Sequence, residues 1–537
     1  MLYAKINYMK LKYITKDTLH PELENANPLV QKLINPIVDS NQSLEELKNT
    51  PHKRCEDIVL RQAVAFMQDI SAKGLKTMIV GDYDCDGICS TTMLVRLCEK
   101  LQIDYGYYIP NRVEEGYGLQ PKLVQDIAEK DYQALITVDN GVKAQPALEL
   151  AQRLGLRVMI VDHHQIQQEV LCDVLYHTDL LGTWFQNQCA SGLLATLMDA
   201  MDLLDDYDLA LAAIGTIGDM MHLSQHNRYL VQAGIKQLNQ HRYPAIDFLL
   251  KRAVKAYDAS VVSFNIVPVL NAVGRLNDPA VKIYQMVAYL VHPDQKGLKE
   301  NSKIIKSINE KRKQLTQEHL KQAEQLVVDH QNIQILVKNG FHEGIIGIVA
   351  GHLANRLQVP VMVGTENQGL YKFSVRSPFL DIYSVLETYS GRYFEAFGGH
   401  EKACAFSIKP ENFEAFKAES LAHFQTIEIS EPVQEVILLE TEDLKLEYFN
   451  QLLQYEPFGQ GFQRIPVVIE GHLLKGFPIK DIGRKWTLQD NQDLVEVVTF
   501  GVDKDLDISH TSAQIVGELQ KTYNQQKLSL LASKILI

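Results

Sequence analysis

The apolar residues between positions 76 and 165 fall into four short runs, and the stretches between the runs carry apolar residues at helical spacing. The runs are 77–80, 107–109, 134–138 and 158–161. Short buried strands that alternate with helices predict βαβ units, which build a parallel sheet covered by helices on both faces. We therefore predict an α/β fold for this part of the chain.

Three further patterns divide the rest of the chain. A helical pattern runs from 298 to 328, a second alternation of strands and helices runs from 333 to 424, and short strands with polar turns follow from 467. The last pattern is typical of a small β-barrel or sandwich and is compatible with an OB-fold. We expect a helical region at 1–75, a parallel-sheet α/β domain at 76–295, a connecting helix at 296–328, a smaller α/β domain at 329–428 and an OB-like β-barrel at 429–537.

The composition is that of an ordinary globular protein, with 46% hydrophobic and 22% charged residues. A chain of 537 residues is too long to fold around a single hydrophobic core, so several domains are expected. No apolar run approaches the length of a membrane span, and residues 1–16 lack the apolar segment of a signal peptide, so neither feature is expected. Seven cysteines without a Cys-x-x-Cys pair favour a reducing cytoplasm and disfavour a zinc ribbon. The net charge of −13 does not favour a nucleic-acid partner, although local charge matters more than the total.

Acidic residues gather where the predicted strands end. The first, third and fourth runs and a later helical stretch are followed by Asp82, Asp84 and Asp86, by Asp139, by Asp162-His163-His164, and by Asp219. Ligands of parallel sheets bind beyond the carboxyl ends of the strands. These side chains are therefore expected to meet in one site.

Six carboxylates and two imidazoles in one site predict a bound cation, because a folded core would not gather so many acidic groups without one. An oxygen-rich set with a single histidine ligand suits Mn²⁺ or Mg²⁺ better than zinc. We expect the loop through Asp84 and Asp86 to stay extended until a helix opens near Ser90, so that each carboxylate takes a different ion and Asp139 bridges the two. Paired divalent ions most often cleave or transfer phosphate. A calcium loop is the alternative for this motif, but its twelfth position is Met93 and carries no acid.

The segments around these acids resemble the DHH family of phosphoesterases, and within it the exonucleases that degrade single-stranded DNA from the 5′ end. Residues 79–87, 137–142, 161–164 and 215–219 resemble the four metal-site motifs. The segments 109–112 with 116–119, 271–275 and 341–349 resemble those typical of the exonucleases, 398–400 resembles the signature of the second domain, and 456–461 resembles the entry to the barrel. Ala405 and Phe462 depart from the family pattern, and the stretch after the two histidines is short, so the resemblance does not imply the local loop geometry at these places.

The resemblance implies a role for each residue that matches a family motif. The implied metal ligands are Asp82, Asp84, Asp86, Asp139, His163 and Asp219. Asp82 and His164 are implied to act in catalysis, with His164 at the scissile phosphate. The residues implied to hold DNA phosphates are Arg112, Arg275, Ser374, Arg376 and His400. A guanidinium grips phosphate through two parallel hydrogen bonds, whereas the structural alternative for each arginine is an ion pair with an acid.

The resemblance further implies a hydrolase: a metal-dependent, single-stranded-DNA-specific 5′-3′ exonuclease that uses two Mn²⁺ or Mg²⁺ ions in DNA repair and recombination. It implies a cytoplasmic monomer without membrane contact, with single-stranded DNA as substrate and a helicase and a single-strand-binding protein as candidate partners. The alternatives are a phosphodiesterase for oligoribonucleotides or cyclic dinucleotides, and an inactive replication scaffold. The basic residues of the long helix at 298–328 fit either a solvated connecting helix or a DNA-facing one.

Overall fold

The computed structural model describes residues 10–39, 41–111, 118–427, 433–479, 483–490, 493–500, 508–522 and 527–537. Its strands are β1 (Lys10–Tyr13), β2 (Thr77–Val80), β3 (Tyr105–Tyr108), β4 (Ala134–Val138), β5 (Arg157–Asp162), β6 (Val174–His177), β7 (Gln334–Val337), β8 (Val361–Asn367), β9 (Leu370–Arg376), β10 (Phe394–His400), β11 (Ala403–Ile408), β12 (Val433–Leu438), β13 (Val467–Leu473), β14 (Phe477–Ile479), β15 (Gly483–Asp490), β16 (Asp493–Phe500), β17 (Thr511–Lys521) and β18 (Leu528–Leu536).

The α-helices are α1 (Pro28–Ile34), α2 (Leu44–Lys48), α3 (Ile58–Ala72), α4 (Cys85–Lys100), α5 (Pro121–Glu129), α6 (Gln145–Arg153), α7 (Ala190–Ala200), α8 (Asp206–Gly218), α9 (Gln225–Leu238), α10 (Pro244–Asp247), α11 (Ala259–Val261), α12 (Val267–Leu276), α13 (Tyr284–Leu290), α14 (Leu298–Glu324), α15 (Glu343–Leu357), α16 (Ile382–Tyr393), α17 (Pro410–Thr426) and α18 (Leu446–Leu452). A π-helical turn, Val262–Ile266, joins α11 to α12.

The first sheet confirms the predicted parallel α/β fold. Its order is β3-β2-β4-β5-β6, and every pairing is parallel. All residues of β2 and β4 are buried, because helices cover both faces of a doubly wound sheet. The order changes direction between β2 and β4, which are neighbours in the sheet although β3 lies between them in sequence.

The second sheet has the order β10-β11-β9-β8-β7, and only β7 and β8 pair in parallel. Its core contains Phe373, Phe406 and Phe416, with α16 and α17 packed beside the strands. The long helix α14 precedes this sheet, close to its predicted bounds.

The C-terminal strands form the predicted OB-like barrel. Strands β13, β15, β16, β18 and β17 pair in that order, and β17 pairs back to β13, which closes a five-stranded ring. Only β16 and β18 pair in parallel within this ring. A closed five-stranded Greek-key barrel of this kind matches the OB architecture.

The described residues fall into two compact units that differ from the five predicted domains. The larger unit comprises residues 53–221 and 225–430, and the smaller unit comprises residues 1–52, 222–224 and 431–537. In the smaller unit β1 pairs in parallel with β12, and Leu29 and Ile34 of α1 share one hydrophobic core with Trp486 of the barrel. The division into five domains stays a prediction.

The continuous helix from Ala259 to Leu276 is long and apolar enough to cross a membrane by length and composition alone, which the sequence pattern did not predict. In the larger unit it packs against α8, α14 and α15. That packing is what a core helix of a globular unit shows.

Candidate functional site

The acidic residues lie at the point where the first sheet changes direction. Asp82 follows β2 and Asp139 follows β4, and these two strands are parallel neighbours. In open α/β sheets this switch point is where ligands bind, because the loops after the two strands leave toward opposite faces and open a crevice. The fold therefore brings Asp82 and Asp139 to one edge of the sheet, as the sequence predicts.

The loop after β2 differs from its predicted form. Helix α4 begins at Cys85, five residues before Ser90, with Asp84 as its N-cap. The Asp84 carboxylate accepts a hydrogen bond from the Gly87 amide at 3.0 Å. A Cβ at Gly87 would lie 2.4 Å from the Asp82 carbonyl oxygen, so only glycine permits this tight turn. The prediction of an extended loop through Asp86 is wrong, because capping by Asp84 starts the helix earlier.

Asp86 points to the N-terminus of another helix. Its two carboxylate oxygens accept hydrogen bonds from the amides of Ala190 at 2.7 Å and Ser191 at 3.0 Å, the first residues of α7. The side chain is buried, and its negative charge adds to burial, the larger cause, in raising the pKa of both Asp139 and Asp219. Asp86 thus ties α4 to α7 at the edge of the site, and its role as a metal ligand stays a prediction.

Two groups of possible ligands share one residue. Asp82, Asp84 and Asp139 form the first group, and Asp139, His163 and His164 form the second. Within each group the ligand atoms all lie within 4.8 Å of one another. Because Asp139 belongs to both groups, the geometry supports its predicted position between two ions.

Asp219 lies beside the second group. It is the C-cap of α8, and one carboxylate oxygen lies 3.6 Å from His163 Nε2. The same nitrogen lies 3.1 Å from Asp139 Oδ1. The helix end and the two strand ends therefore meet around the His163 ring.

Asp162 holds the two histidines in place. Its Oδ1 accepts hydrogen bonds from the amide of His163 at 2.8 Å, and from the amide and Nδ1 of His164 at 3.1 and 2.8 Å. Its Oδ2 accepts from the Val142 amide at 3.1 Å. With both oxygens used in this way, Asp162 acts as a support for the imidazoles.

The site carries more negative charge than its surroundings compensate. Burial raises the pKa of Asp139 well above its ordinary value, and the charges of Asp86, Asp84 and Asp82 raise it further. Burial likewise raises the pKa of Asp219 to about 8, and Asp86 and Asp84 add to the shift. Carboxylates that resist ionisation for these reasons become favourable ligands once a cation is present.

The histidines differ in charge. Burial and the neighbouring His164 lower the pKa of His163, which favours the neutral form that binds metals. Burial also acts to lower the pKa of His164, but the hydrogen bond and charge of Asp162 outweigh it and raise the pKa to about 9. His163 therefore suits a ligand, and His164 suits a cationic donor.

Close glycine contacts connect the loop after β2, residues 81–84, to helices α12 and α15 beside the second sheet. This loop is called the acidic loop below. A Cβ at Gly274 in α12 would lie 2.5 Å from the Tyr83 carbonyl oxygen. A Cβ at Gly344 in α15 would lie 1.9 Å from the Arg275 carbonyl oxygen. The backbone of α12 is thus in contact with the acidic loop on one side and with the start of α15 on the other.

Most of the residues predicted to bind phosphate gather near these contacts. Ser374 and Arg376 share one face of β9, and a Cβ at Gly347 of α15 would lie 3.4 Å from Ser374 Oγ and 3.1 Å from Arg376 Nη2. His400 pairs with Ala403 of β11, which in turn pairs with Arg376 of β9, so His400 and Arg376 are in register. Burial lowers the pKa of His400, and the positive charge of Arg376 lowers it further. Arg275 lies beside the acidic loop through its neighbour Gly274, while Arg112 lies outside the described residues.

One set of supporting residues was not anticipated from the sequence. Arg96 of α4 donates hydrogen bonds to Asp205 and to the fully buried Asp208 of α8, and Lys100 pairs with the same two carboxylates. This network joins the helix that begins after Asp84 to the helix that ends at Asp219. The available signal was the capping box from Asp205 to Asp208, which predicts a helix start but not its partners in α4.

Comparisons with known proteins agree with this arrangement. Residues 76–218 match the N-terminal domain of the DHH family, and residues 330–425 match the DHHA1 domain. The chain is 30% identical over 512 residues to the single-stranded-DNA-specific exonuclease RecJ of Bacillus subtilis, an alignment that covers 88% of this chain and 63% of that relative. It is 27% identical over 395 residues to RecJ of Escherichia coli, which covers 67% of this chain and 68% of the relative.

Solved structures show the same fold. The structure of RecJ from Thermus thermophilus in complex with Mn²⁺ covers 99% of this chain and 80% of its own, with a TM-score of 0.83 and 21% identity. A structure of exonuclease RecJ bound to manganese covers 71% of this chain and 97% of its own, with a TM-score of 0.61 and 27% identity.

Proposed function

Because the chain belongs to the DHH family, we propose that it is a single-stranded-DNA-specific 5′-3′ exonuclease that hydrolyses phosphodiester bonds with two divalent metal ions. The observation that carries the proposal is the meeting of Asp82, Asp84, Asp139 and His163 at the switch point of the parallel sheet. The relatives that bear the exonuclease name align with most of this chain. The chain spans 63% of the length of the Bacillus subtilis relative, and the activity is therefore proposed on the site and the alignment together.

The side chains present fit two divalent cations. Asp82 and Asp84 would hold one ion, His163 and Asp219 would hold the other, and Asp139 would contact both. Oxygen donors with one imidazole suit Mn²⁺ or Mg²⁺. The buried, mutually repelling carboxylates support this assignment, because burial and then the neighbouring negative charges raise the pKa of Asp139 and Asp219, and a cation would offset both effects. When bound, such ions neutralise phosphate oxygens and make water a stronger nucleophile near neutral pH.

His164 would donate a hydrogen bond to the phosphate of the substrate. Its Nδ1 lies 2.8 Å from Asp162 Oδ1, and Nε2 is proposed to donate to a phosphoryl oxygen of the substrate. The carboxylate of Asp162 stabilises the imidazolium form and fixes the ring. Asp86, whose carboxylate accepts hydrogen bonds from the start of α7, is proposed as a further metal ligand.

Arginines around α12 and β9 would hold the DNA backbone. Arg376 with Ser374 and His400 forms one phosphate-binding group, and Arg275 forms another beside the acidic loop. Arg112, which follows β3 in the sequence and lies outside the described residues, is proposed to join them. The OB-like barrel favours a polymeric substrate over a dinucleotide, because this fold binds oligonucleotides in many proteins.

We also propose the cellular setting that the sequence implies. All seven cysteines are free thiols, which supports a reducing compartment such as the cytoplasm. A single strand must be exposed before it can be degraded, which supports a helicase and a single-strand-binding protein as partners in DNA repair and recombination. A monomer is proposed because the acidic site is assembled from one chain.

A labelled-substrate assay tests the proposal. Single-stranded DNA that carries a dye at the 5′ or the 3′ end is incubated with the protein and Mn²⁺ or Mg²⁺, next to blunt duplex, short RNA and a cyclic dinucleotide. We expect immediate release of labelled mononucleotide from the 5′ end only, and no release from duplex. Release from the 3′ end first, or faster turnover of the dinucleotide or RNA, would contradict the exonuclease and favour the alternative phosphodiesterase.

A further inference from the structure

We propose that Arg312 of α14 and Arg275 of α12 together bind a backbone phosphate of the single strand next to the acidic loop. The inference rests on the proposed function, and it assigns to Arg312 a role that neither the charge pattern nor the motifs supply. It also decides between the two interpretations of the long helix, since one turn of α14 would face the substrate.

The two arginines are brought together by the packing of α12 on α14. Lys311 Nζ lies 2.7 Å from the carboxylate of Asp278, which stands just beyond the end of α12. This ion pair places the turn of α14 that contains Arg312 next to the last turn of α12, which contains Arg275. Both arginines are half-buried.

Arg312 is held in a fixed orientation. The Oδ1 of Asn309, one turn earlier in α14, accepts a hydrogen bond from Arg312 Nε at 3.0 Å, and Asn309 is only 5% exposed. That bond uses the inner nitrogen of the guanidinium and leaves the two terminal nitrogens for a ligand. A guanidinium with fixed Nε presents its other donors as a fork that matches two phosphate oxygens.

Neither arginine has an acidic partner in the described part of the chain. Arg96, Arg157 and Arg356 each form an ion pair with a carboxylate, whereas the side chains of Arg275 and Arg312 form none with any described residue. Burial lowers the pKa of Arg312, and the positive charge of Arg275 lowers it further, while the smaller effect of the Glu310 charge opposes them. The Glu310 carboxylate itself pairs with Lys313 and Lys251. Two neighbouring guanidinium groups that form no ion pair with a described carboxylate are stabilised by a bound anion.

The position of the pair identifies the anion. Gly274, the neighbour of Arg275, lies against the Tyr83 carbonyl between Asp82 and Asp84. An anion held by the two arginines is therefore adjacent to the proposed metal centre. The anions of the proposed substrate are backbone phosphates, so we assign this site to a phosphate close to the one that is hydrolysed.

Binding measurements with a single-strand substrate test the assignment. The affinity of a dye-labelled oligo-dT is measured by fluorescence anisotropy over a series of KCl concentrations, in an Asp139→Ala background that prevents cleavage. Arg312→Gln is expected to weaken binding about 10-fold and to lower the salt slope by about 0.7, the value for one phosphate contact on a single strand. Arg312→Lys is expected to keep the slope and to recover only part of the affinity, because an ammonium lacks the fork.

Lys313→Gln provides the matched control. Lys313 is the next residue of the same helix, carries the same charge, and forms an exposed ion pair with Glu310 at 3.1 Å. Its removal is expected to change the affinity by less than about twofold. Thermal unfolding of each variant, followed by circular dichroism, separates loss of binding from loss of folding.

The outcomes are distinguishable from those of the proposed function. If the wild-type protein neither cleaves nor binds single-stranded DNA, the proposed function fails. If it does both, and Arg312→Gln binds like Lys313→Gln with the same salt slope, the assignment of Arg312 is overturned. A lower melting temperature with unchanged affinity would also overturn it, since Arg312 would then be structural. Should Arg312→Gln fail to fold, Arg312→Lys decides: affinity at least threefold weaker at an unchanged slope supports the assignment, and wild-type affinity overturns it.

Discussion

At the scale of single residues, Asp139 combines deep burial with four acidic neighbours, namely Asp82, Asp84, Asp86 and Asp219. Its carboxylate is 2% exposed and belongs to both groups of possible metal ligands. A carboxylate in this position is expected to destabilise the protein when no metal is bound, because it is buried among other acids. Its proposed function, metal binding, offsets that cost only when cations are present. Such trade-offs between stability and activity are common in sites that store charge.

Asp139→Asn is expected to separate these two effects. Without metal, the neutral amide removes the repulsion from Asp82, Asp84 and Asp86, so the free energy of unfolding should rise by about 1–2 kcal/mol. With Mn²⁺, the wild-type protein should be stabilised further, whereas the variant should show little response. Urea unfolding with EDTA and with Mn²⁺ measures both.

The acidic residues were predictable from sequence because a parallel sheet gathers the ends of its strands at one edge. Their individual roles were less predictable. The partners of Asp86 are the amides of Ala190 and Ser191, which lie more than 100 residues away and become neighbours only when α7 packs on α4. The early start of α4 depends on the cap by Asp84, and the apolar pattern does not contain that information.

At the scale of elements, the ion network between α4 and α8 fixes the two helices whose ends carry proposed ligands. Arg96 has a 12% exposed side chain, and Asp208 has none of its side chain exposed. A buried charge that loses its partner is costly, since neither water nor another donor replaces it. The network therefore contributes to the site through the relative position of the two helices.

Asp208→Ala is expected to destabilise the protein by about 3–5 kcal/mol, because it leaves Arg96 buried and only partly paired. Asp206→Ala is the matched control: Asp206 lies in the same turn and pairs with Arg242, and both side chains of this pair are more than half exposed. That change should cost less than about 1 kcal/mol. Urea denaturation gives both values, and equal losses would show that the network contributes little to stability.

The contact between α12 and α15 predicts a second effect on elements. Gly344→Ala adds a Cβ that would lie 1.9 Å from the Arg275 carbonyl, so α15 must move away from α12. Alanine favours helix by up to about 1 kcal/mol over glycine, and any loss must therefore come from this contact. We expect a lower kcat/KM on single-stranded DNA together with lower stability.

Gly351→Ala is the control for that experiment. Gly351 lies two turns further along α15, where an added Cβ would meet only Arg376 Cγ at 3.9 Å. Stability and kcat/KM should stay at the wild-type values or rise slightly. A similar loss in both variants would mean that the close approach of α15 to α12 is not important for the site.

At the scale of the whole molecule, the smaller unit combines residues from the two ends of the described chain. Leu23, Leu29, Ile34 and Leu44 share a core with Trp486 of the barrel, and Lys12 pairs with Glu435 across 423 positions. The apolar pattern predicted the helices near the N-terminus, but it could not predict this partner, because a hydrophobic face does not specify what covers it. The sequence predicted an OB-like barrel, but it did not predict that β13 closes the barrel by pairing with both β15 and β17.

Removal of residues 1–52 is therefore expected to expose the barrel core rather than to delete an independent domain. In limited proteolysis the barrel strands after residue 433 should be cleaved early, while the sheet that contains β2 and β4 should remain protected. A peptide of residues 10–52, added in trans, should restore part of the protection. Unchanged resistance of the barrel in the truncated chain would contradict this expectation.

The pairing of β1 with β12 also has a consequence for how the chain is made. A ribosome adds roughly 5–20 residues per second, so β1 waits on the order of 20–80 seconds before its partner strand is synthesised. During that interval the apolar side chains of α1 have left the ribosome without the core that will bury them. The segment that contains β1 and α1 therefore folds long after it is translated, and it would depend on chaperones until β12 and the barrel have been synthesised.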